Sequence, residues 1–341
     1  MRPTALVPLL ALLTLAACDP DLPTTTATRA PSLARAGDYS GWAPAQSIEV
    51  AAPGAHPGFN TPSLDGCPLP SRDGKLFFIA STRPGSAGID IWVATRSGPD
   101  APWGEPVNVG APINSASNDF CPMLARDGHT FYFVSNRPVD PATGAPACGG
   151  TDIYVSRMRE DGTFETPRNL GCDVNSPQDE AGPVPVNEPG EGPSLYFSST
   201  RPGGYAPEPP GAPLGDSDLY VSRSHGGRFQ AAALVPGVNS EREDGQPFIR
   251  EDARELFFYS NRPGSVGGSN DIYVATRERA HDAWATPTNL GPNVNTIYPE
   301  TRPSLSWDGT TLYFGSANRP TGEGNTDVYV TRRQRLWGGG R

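Results

Sequence analysis

Three observations predict an all-β fold, a five-bladed β-propeller of four-stranded blades. Gly and Pro number 39 each in 341 residues, which makes turns frequent, while aromatics at 9% supply core surface and charged residues reach only 19%. One pattern of acid, Pro and aromatic strands recurs five times along the chain. The last copy lacks an outer strand, and the N-terminal region holds an orphan one. The formal charge of −10 argues against a nucleic-acid partner, which needs a basic face.

The chain begins with an address. Met1-Arg2 is a short basic start, and Thr4 to Ala17 is an apolar run too short to span a membrane as a mature helix. It ends in Leu15-Ala16-Ala17-Cys18, which resembles the lipobox of bacterial lipoproteins. That resemblance implies cleavage before Cys18 and a lipid on its thiol, hence a lipid anchor in the bacterial cell envelope, on the periplasmic side of a membrane or at the cell surface. The alternative is an ordinary signal peptide with a chance Cys. Residues 18–40, rich in Thr, Ala and Pro without periodicity, read as the lipidated Cys and a flexible tether, and 41–341 as the propeller.

Each copy opens with Asn, an acid five residues on and Pro three further: Asn60/Asp65/Pro68, Asn114/Asp119/Pro122, Asn175/Glu180/Pro183, Asn239/Asp244/Pro247 and Asn295/Glu300/Pro303. A turn follows, Asp-Gly in three copies (Asp73-Gly74, Asp127-Gly128, Asp308-Gly309), then an aromatic strand such as Leu76-Phe77-Phe78-Ile79 or Phe131-Tyr132-Phe133-Val134. Each aromatic strand runs into Arg-Pro, at Arg83, Arg137, Arg201, Arg262 and Arg319. A third strand starts with Asp (Asp90, Asp152, Asp218, Asp271, Asp327), and a weaker fourth is expected from Trp103, Phe164, Phe229 or Trp284. Four such strands make a propeller blade, an arrangement that leaves only short, protected edges. The fifth copy stops at Leu336-Trp337, and Trp42-Ala43-Pro44 through Val50 resembles the Trp103 and Trp284 segments, so the first strand should complete the last blade.

The assembled pattern, Pro-x-x-(Ser)-x-Asp-Gly-x-x-Leu-Tyr-Phe-x-Ser-x-Arg-Pro followed by Asp-Ile-Tyr-Val, resembles the TolB-type, WD40-like propeller repeat of bacterial envelope proteins over residues 42–337. The resemblance implies a propeller that often serves as a docking surface. The Trp-Asp dipeptide of that family is not regular here, and no fused peptidoglycan-binding or protease domain is seen.

Strand ends alternate between faces, so the acids Asp65, Asp119, Asp244, Glu180 and Glu300, the five Arg and the third-strand Asp should ring one rim. A group present once per blade answers a need present in every blade. The rim is therefore read as a structural Arg–carboxylate clasp, with Asp and Asn holding loop amides. Function is sought where the copies differ. From Arg to third-strand Asp the loop spans 7, 15, 17, 9 and 8 residues, so blades two and three carry long loops, Val139–Thr151 and Gly203–Ser217. A rigid aromatic on the Pro-rich second loop suits a protein or glycan contact. Candidate binding residues are Tyr205, Glu208, Gln246 and Arg302.

Four further cysteines allow three disulfide connectivities. Cys67 and Cys121 share a repeat position in adjacent blades, and Cys148 and Cys172 flank the blade-two loop, so Cys148–Cys172 with Cys67–Cys121 is preferred. A zinc site of four thiolates lacks any Cys-x-x-Cys spacing, and neither a metal nor a cofactor is expected. The four His fall at unrelated repeat positions, and no nucleophile elbow or phosphate loop is present. Ser306-Trp307-Asp308-Gly309 faintly resembles the Asp-box of sialidases. The function expected is a monomeric envelope scaffold for a protein or glycan, with no catalytic residues assigned. The alternative is a glycoside hydrolase built on rim carboxylates, which needs two facing acids in a cleft.

Overall fold

The computed structural model describes residues 39–51, 58–98, 101–188, 192–205 and 216–336. Cys18, the leader, most of the tether, Glu208 and most of the blade-three loop lie outside the described residues. Five antiparallel sheets follow one another around an axis, each in the order inner, second, third, outer strand. The inner strands are Asp65–Pro70, Asp119–Leu124, Glu180–Glu188, Asp244–Ile249 and Glu300–Leu305. The second strands, Leu76–Ser81, Thr130–Ser135, Gly192–Ser199, Glu255–Ser260 and Thr311–Ala317, carry the aromatic runs. Third strands open on the repeated Asp in four blades and on Thr326, just before Asp327, in the fifth.

The ring closes as the repeat arithmetic requires. Gln46–Ser47 pairs with the last third strand, Gln46 opposite Val330 and Ser47 opposite Tyr329. Outer strands differ from expectation. They are two residues long and begin at Val107, Arg168, Ala233 and Thr288, four residues beyond the aromatic expected to start each one. In blades one, two and four a Pro (Pro106, Pro167, Pro287) sits just before the paired residues and has no N–H to give a ladder. The aromatic turns inward: Phe164, bridged to Met158, and Trp284 are buried, and Trp103 packs edge-on to Phe77. In blade three Phe229 does pair, with Ser224, in a separate two-residue strand.

Hydrophobic cores lie between blades rather than within them. Phe78, Ile91, Phe131 and Phe133 join blades one and two, and Val184, Leu219, Leu256 and Phe258 join three and four. Ile48, Phe59, Phe77 and Val328 join five and one. Adjacent residues of one strand point to opposite faces, so Phe77 and Phe78 each enter a different inter-blade core. A strand buried on both faces needs a continuous apolar run, which is why the second strands do not alternate. At about 1.5–3 kcal/mol per buried large side chain, these seams account for the cohesion of the ring.

The repeated Asn is the polar seam. Asn114 accepts the Ile91 N–H at 2.9 Å and donates to the Ile91 carbonyl at 2.8 Å, so its amide extends the ladder of the preceding blade. Asn175, Asn239 and Asn295 do the same to Ile153, Leu219 and Ile272. Asn60 does it to Val328, 268 residues away, which makes the closing joint chemically identical to the internal ones.

Candidate functional site

The face where inner strands begin, called the loop face, holds the clasps. Arg83 donates to Asp65 at 2.7 Å and Arg137 to Asp119 at 2.6 Å; Arg201 meets Glu180 at 3.0 Å, Arg319 meets Glu300 at 2.6 Å, and Arg262 binds Asp244. All five acids are fully buried. In every clasp Nε also donates to a Ser Oγ and Nη2 to a backbone carbonyl. In Arg137, Nε donates to Ser135 Oγ and Nη2 to the Ile113 carbonyl, while the fork lies over Phe133 and Tyr154. Each acid also accepts the N–H and hydroxyl of a Ser or Thr four residues upstream, as Asp119 does from Ser115. Burial still outweighs these partners at Glu180 and Glu300, whose carboxyls are raised above the usual range.

The third-strand Asp are held differently. Asp90, Asp152, Asp218, Asp271 and Asp327 accept loop amides through one oxygen, for example from Cys148 to Asp152 at 2.7 Å and from Tyr205 to Asp218 at 2.8 Å. The other oxygen of every one is enclosed without a partner. Burial raises Asp152, Asp271 and Asp327 and pushes Asp218 up to about 6.

The copies part company two residues into each inner strand. There the ladder is interrupted by a bulge: in blade one Gly66 faces Ala80 and Leu69 faces Phe78, so Cys67 and Pro68 oppose a single residue. The repeated Pro thus occupies a position where no ladder N–H is required. The residue before it is left-handed in every blade: Cys67 (φ 48°), Cys121 (47°), Gly182 (59°), Gln246 (46°) and Arg302 (57°). Such a backbone costs non-Gly residues on the order of 1 kcal/mol each, so four blades carry local strain at this level. Gly182 also clears the way for its neighbour, since a Cβ there would lie 2.8 Å from Gln246 Cα.

Cys67, Cys121, Gln246 and Arg302 line one axial cavity of about 40 Å³, with Pro68, Pro122, Met123 and Phe248 among its walls. Cys67 and Cys121 are disulfide-bonded across blades one and two, Cα to Cα 4.9 Å. Arg302 has no hydrogen bond or ion pair among the described residues, and its Nε is enclosed without an acceptor. Desolvation lowers its pKa, the opposite of what a salt-bridged Arg shows. Gln246 Oε1 is likewise enclosed without a donor.

A second cavity, of about 70 Å³, lies where the inner strands end at the opposite, turn face. It is lined by the second residue of the hairpin turn in blades one, two, four and five: Arg72, Arg126, Glu251 and Trp307. Arg72 lies over the Trp307 ring at 4.6 Å, and Arg126 pairs with Glu251 at 2.8 Å. The Ser306–Gly309 turn is built like Ser71–Gly74. In both, Ser Oγ donates to Asp Oδ1 at 2.6 Å and the Gly is left-handed, so the Asp-box likeness is hairpin geometry.

The long blade-two loop does not stand free. Cys148–Cys172 is disulfide-bonded, Cα to Cα 5.6 Å, and Thr151 pairs with Asp179 of the segment entering blade three. Gly149 permits this approach, because a Cβ would lie 2.1 Å from the Ser176 carbonyl oxygen. Val139 and Tyr205 remain exposed, Tyr205 at 54%. The structure therefore brings Gln246 and Arg302 together at the axis and leaves Tyr205 on the loop rim. The turn-face ring of Arg72, Arg126, Glu251 and Trp307 was not foreseen, although its signal is plain: one variable residue before each Asp of an otherwise repeated turn.

No protein-family profile matches the chain, and no curated protein matches it. Solved structures match in fold. A thermostable family-43 glycoside hydrolase aligns over 81% of this chain and 90% of its own, with TM-score 0.52 and 13% identity. A GH62 hydrolase in complex with xylotriose aligns over 88% and 99%, with TM-score 0.53 and 9% identity. A putative TolB from Agrobacterium tumefaciens aligns over 88% and 100%, with TM-score 0.46 and 15% identity. At these identities the likeness is one of fold alone.

Proposed function

We propose that the chain is a binding scaffold of the bacterial cell envelope, lipid-anchored through Cys18, whose propeller docks a protein or glycan at the loop rim of blades two and three. The observation that carries binding over hydrolysis is the fate of the carboxylates. Every clasp acid is buried against its own Arg, and each third-strand Asp is tied to its own loop. Glycoside hydrolysis needs two acids facing each other across substrate, with separated pKa values. Among the residues lining the two axial cavities the single carboxylate is Glu251, and it faces Arg126. Exposed Tyr205, its N–H held by Asp218, and exposed Val139, on the loop bridged by Cys148–Cys172, favour a docking surface on this rim.

The test is capture of envelope partners by the lipidated protein, with Tyr205→Ala and a blade-two loop cut to blade-one length as controls. Both variants should lose the captured species, Tyr205→Ala at an unchanged melting temperature and the shortened loop, which gives up the Cys148–Cys172 bridge, at a lower one. Unchanged capture overturns the rim as the docking surface. Release of reducing ends from arabino- or xylo-oligosaccharides, abolished in Glu251→Gln, would favour the hydrolase alternative that the shared fold keeps open.

A further inference from the structure

Arg302 is a permanent cation, half-buried, with its Nε enclosed and no anion beside it among the described residues. A guanidinium cannot shed its proton in a protein, so burial cannot be relieved by neutralisation as it can for Lys or Glu. Taking such a charge from water costs several kcal/mol unless an opposite charge accompanies it. None does so among the described residues. Glu300, two positions away on the same strand, is held by Arg319 at 2.6 Å. Glu243, the acid beside Tyr259, accepts the Tyr259 hydroxyl at 2.8 Å. Gly66, the neighbour from blade one, offers only space: a Cβ there would lie 2.7 Å from Arg302 Nη1.

The surroundings describe what is missing. The cavity onto which Arg302 opens holds about 40 Å³, room for a group of a few heavy atoms. Its walls of disulfide, proline, Met123 and Phe248 form a weakly polar surface, where attraction between opposite charges is far stronger than in water. Gln246 shares the cavity with one amide atom unpartnered, and the orientation of an amide is set by its hydrogen bonds. As placed, its Nε2 donates to Cys121 Sγ at 3.6 Å, a weak bond; turned over, the amide gives up that bond and presents its NH2 group at the enclosed position, a second donor beside the cavity. A planar guanidinium fork and an amide donor match the planar, two-oxygen geometry of a carboxylate better than a sphere such as chloride.

We propose that Arg302 and Gln246 form an axial site for a small carboxylate, on the scale of formate or acetate. The site is independent of the loop-rim reading, since neither residue belongs to that surface. It can stand if Tyr205 proves inert, and the rim can stand if Arg302 binds nothing.

The experiment uses the full chain and measures thermal unfolding while sodium formate or acetate replaces sodium chloride at constant ionic strength. The expected result is a saturable rise of a few degrees for wild type. Arg302→Met should lose that rise, and Gln246→Leu should need roughly tenfold more carboxylate to reach it. Should Arg302→Met fail to fold, Arg302→Lys serves: it keeps the charge, loses the fork, and should respond equally to chloride and carboxylate. Line broadening of labelled formate by wild type, absent with the Arg302 variant, would confirm direct contact. A carboxylate effect no larger than that of chloride, or one equal in wild type and the Arg302 variants, overturns the proposal.

Discussion

Glu300 and Arg302 sit two residues apart on one inner strand and belong to opposite regimes. Glu300 is part of a clasp repeated in all five blades, with its Arg, its Thr hydroxyl and its Ser in place. Arg302 belongs to a ring of five positions whose backbone repeats while the side chains do not: two joined cysteines, Gly, Gln and Arg. Charge satisfied five times over builds the blade. Arg302, without an anion among the described residues, stands at a position where the copies differ and no clasp recurs.

Substitution should separate the two regimes. Arg137→Met keeps the volume of the side chain but strands fully buried Asp119, and breaking such a pair costs about 3–5 kcal/mol. Arg302→Met strands no acid, and in buffer free of carboxylates it should change stability by less than about 1 kcal/mol or raise it. Urea unfolding of both variants reads the contrast directly. Equal losses would mean that Arg302 has a partner and that the comparison fails.

Much of this was legible in the sequence, and the remainder has identifiable physical reasons for being hidden. The blade count and the closure through Gln46–Ser47 followed from repeat position, and of three connectivities the preferred one holds, Cys67–Cys121 on repeat position and Cys148–Cys172 on the blade-two loop. The outer strands were misplaced because Trp103, Phe164 and Trp284 look like strand openers, whereas the Pro three residues later decides where pairing can start. Asn60 and its counterparts were expected to hold loop amides but instead bond to third-strand residues across the seam, a role no periodicity reports. Arg302 and Gln246 were visible as departures from the repeat, but the isolation of Arg302 depends on which neighbours Glu243 and Glu300 have already taken. That is a property of packing, and no spacing rule reports it.

The third-strand Asp occupy the middle ground, repeated like the clasps yet held by amide dipoles rather than by a cation. Asp218 is the sharpest case, with a carboxyl pushed up to about 6, mainly by burial. Because the folded state then binds its proton more tightly than the unfolded chain, this group's contribution to stability is full below about pH 4 and is lost as pH rises through about 6. Asp218→Asn keeps an acceptor for the Tyr205 N–H and removes the titration. Relative to wild type, the variant should gain about 1–2 kcal/mol between pH 4 and pH 7, read from urea midpoints at several pH values. A wild-type profile parallel to that of the variant would mean that the Tyr205 amide already compensates the charged form of Asp218.

The smallest effect tests what makes a clasp strong. Arg72 stacks on Trp307 at 4.6 Å much as Arg137 stacks on Tyr154 at 5.1 Å, so both guanidiniums make a cation–π contact of similar geometry. They differ in the company they keep: Arg137 carries buried Asp119, whereas Arg72 lines the turn-face cavity and strands no carboxylate when removed. Stacking at such a site contributes about 0.5–1 kcal/mol, and Arg72→Ala should cost no more than that. If its loss approached that of Arg137→Met, the aromatic ring rather than the acid would be the principal partner of both arginines. The five clasps would then be read as stacked cations that happen to lie near carboxylates, and the electrostatic distinction between Glu300 and Arg302 would lose its basis.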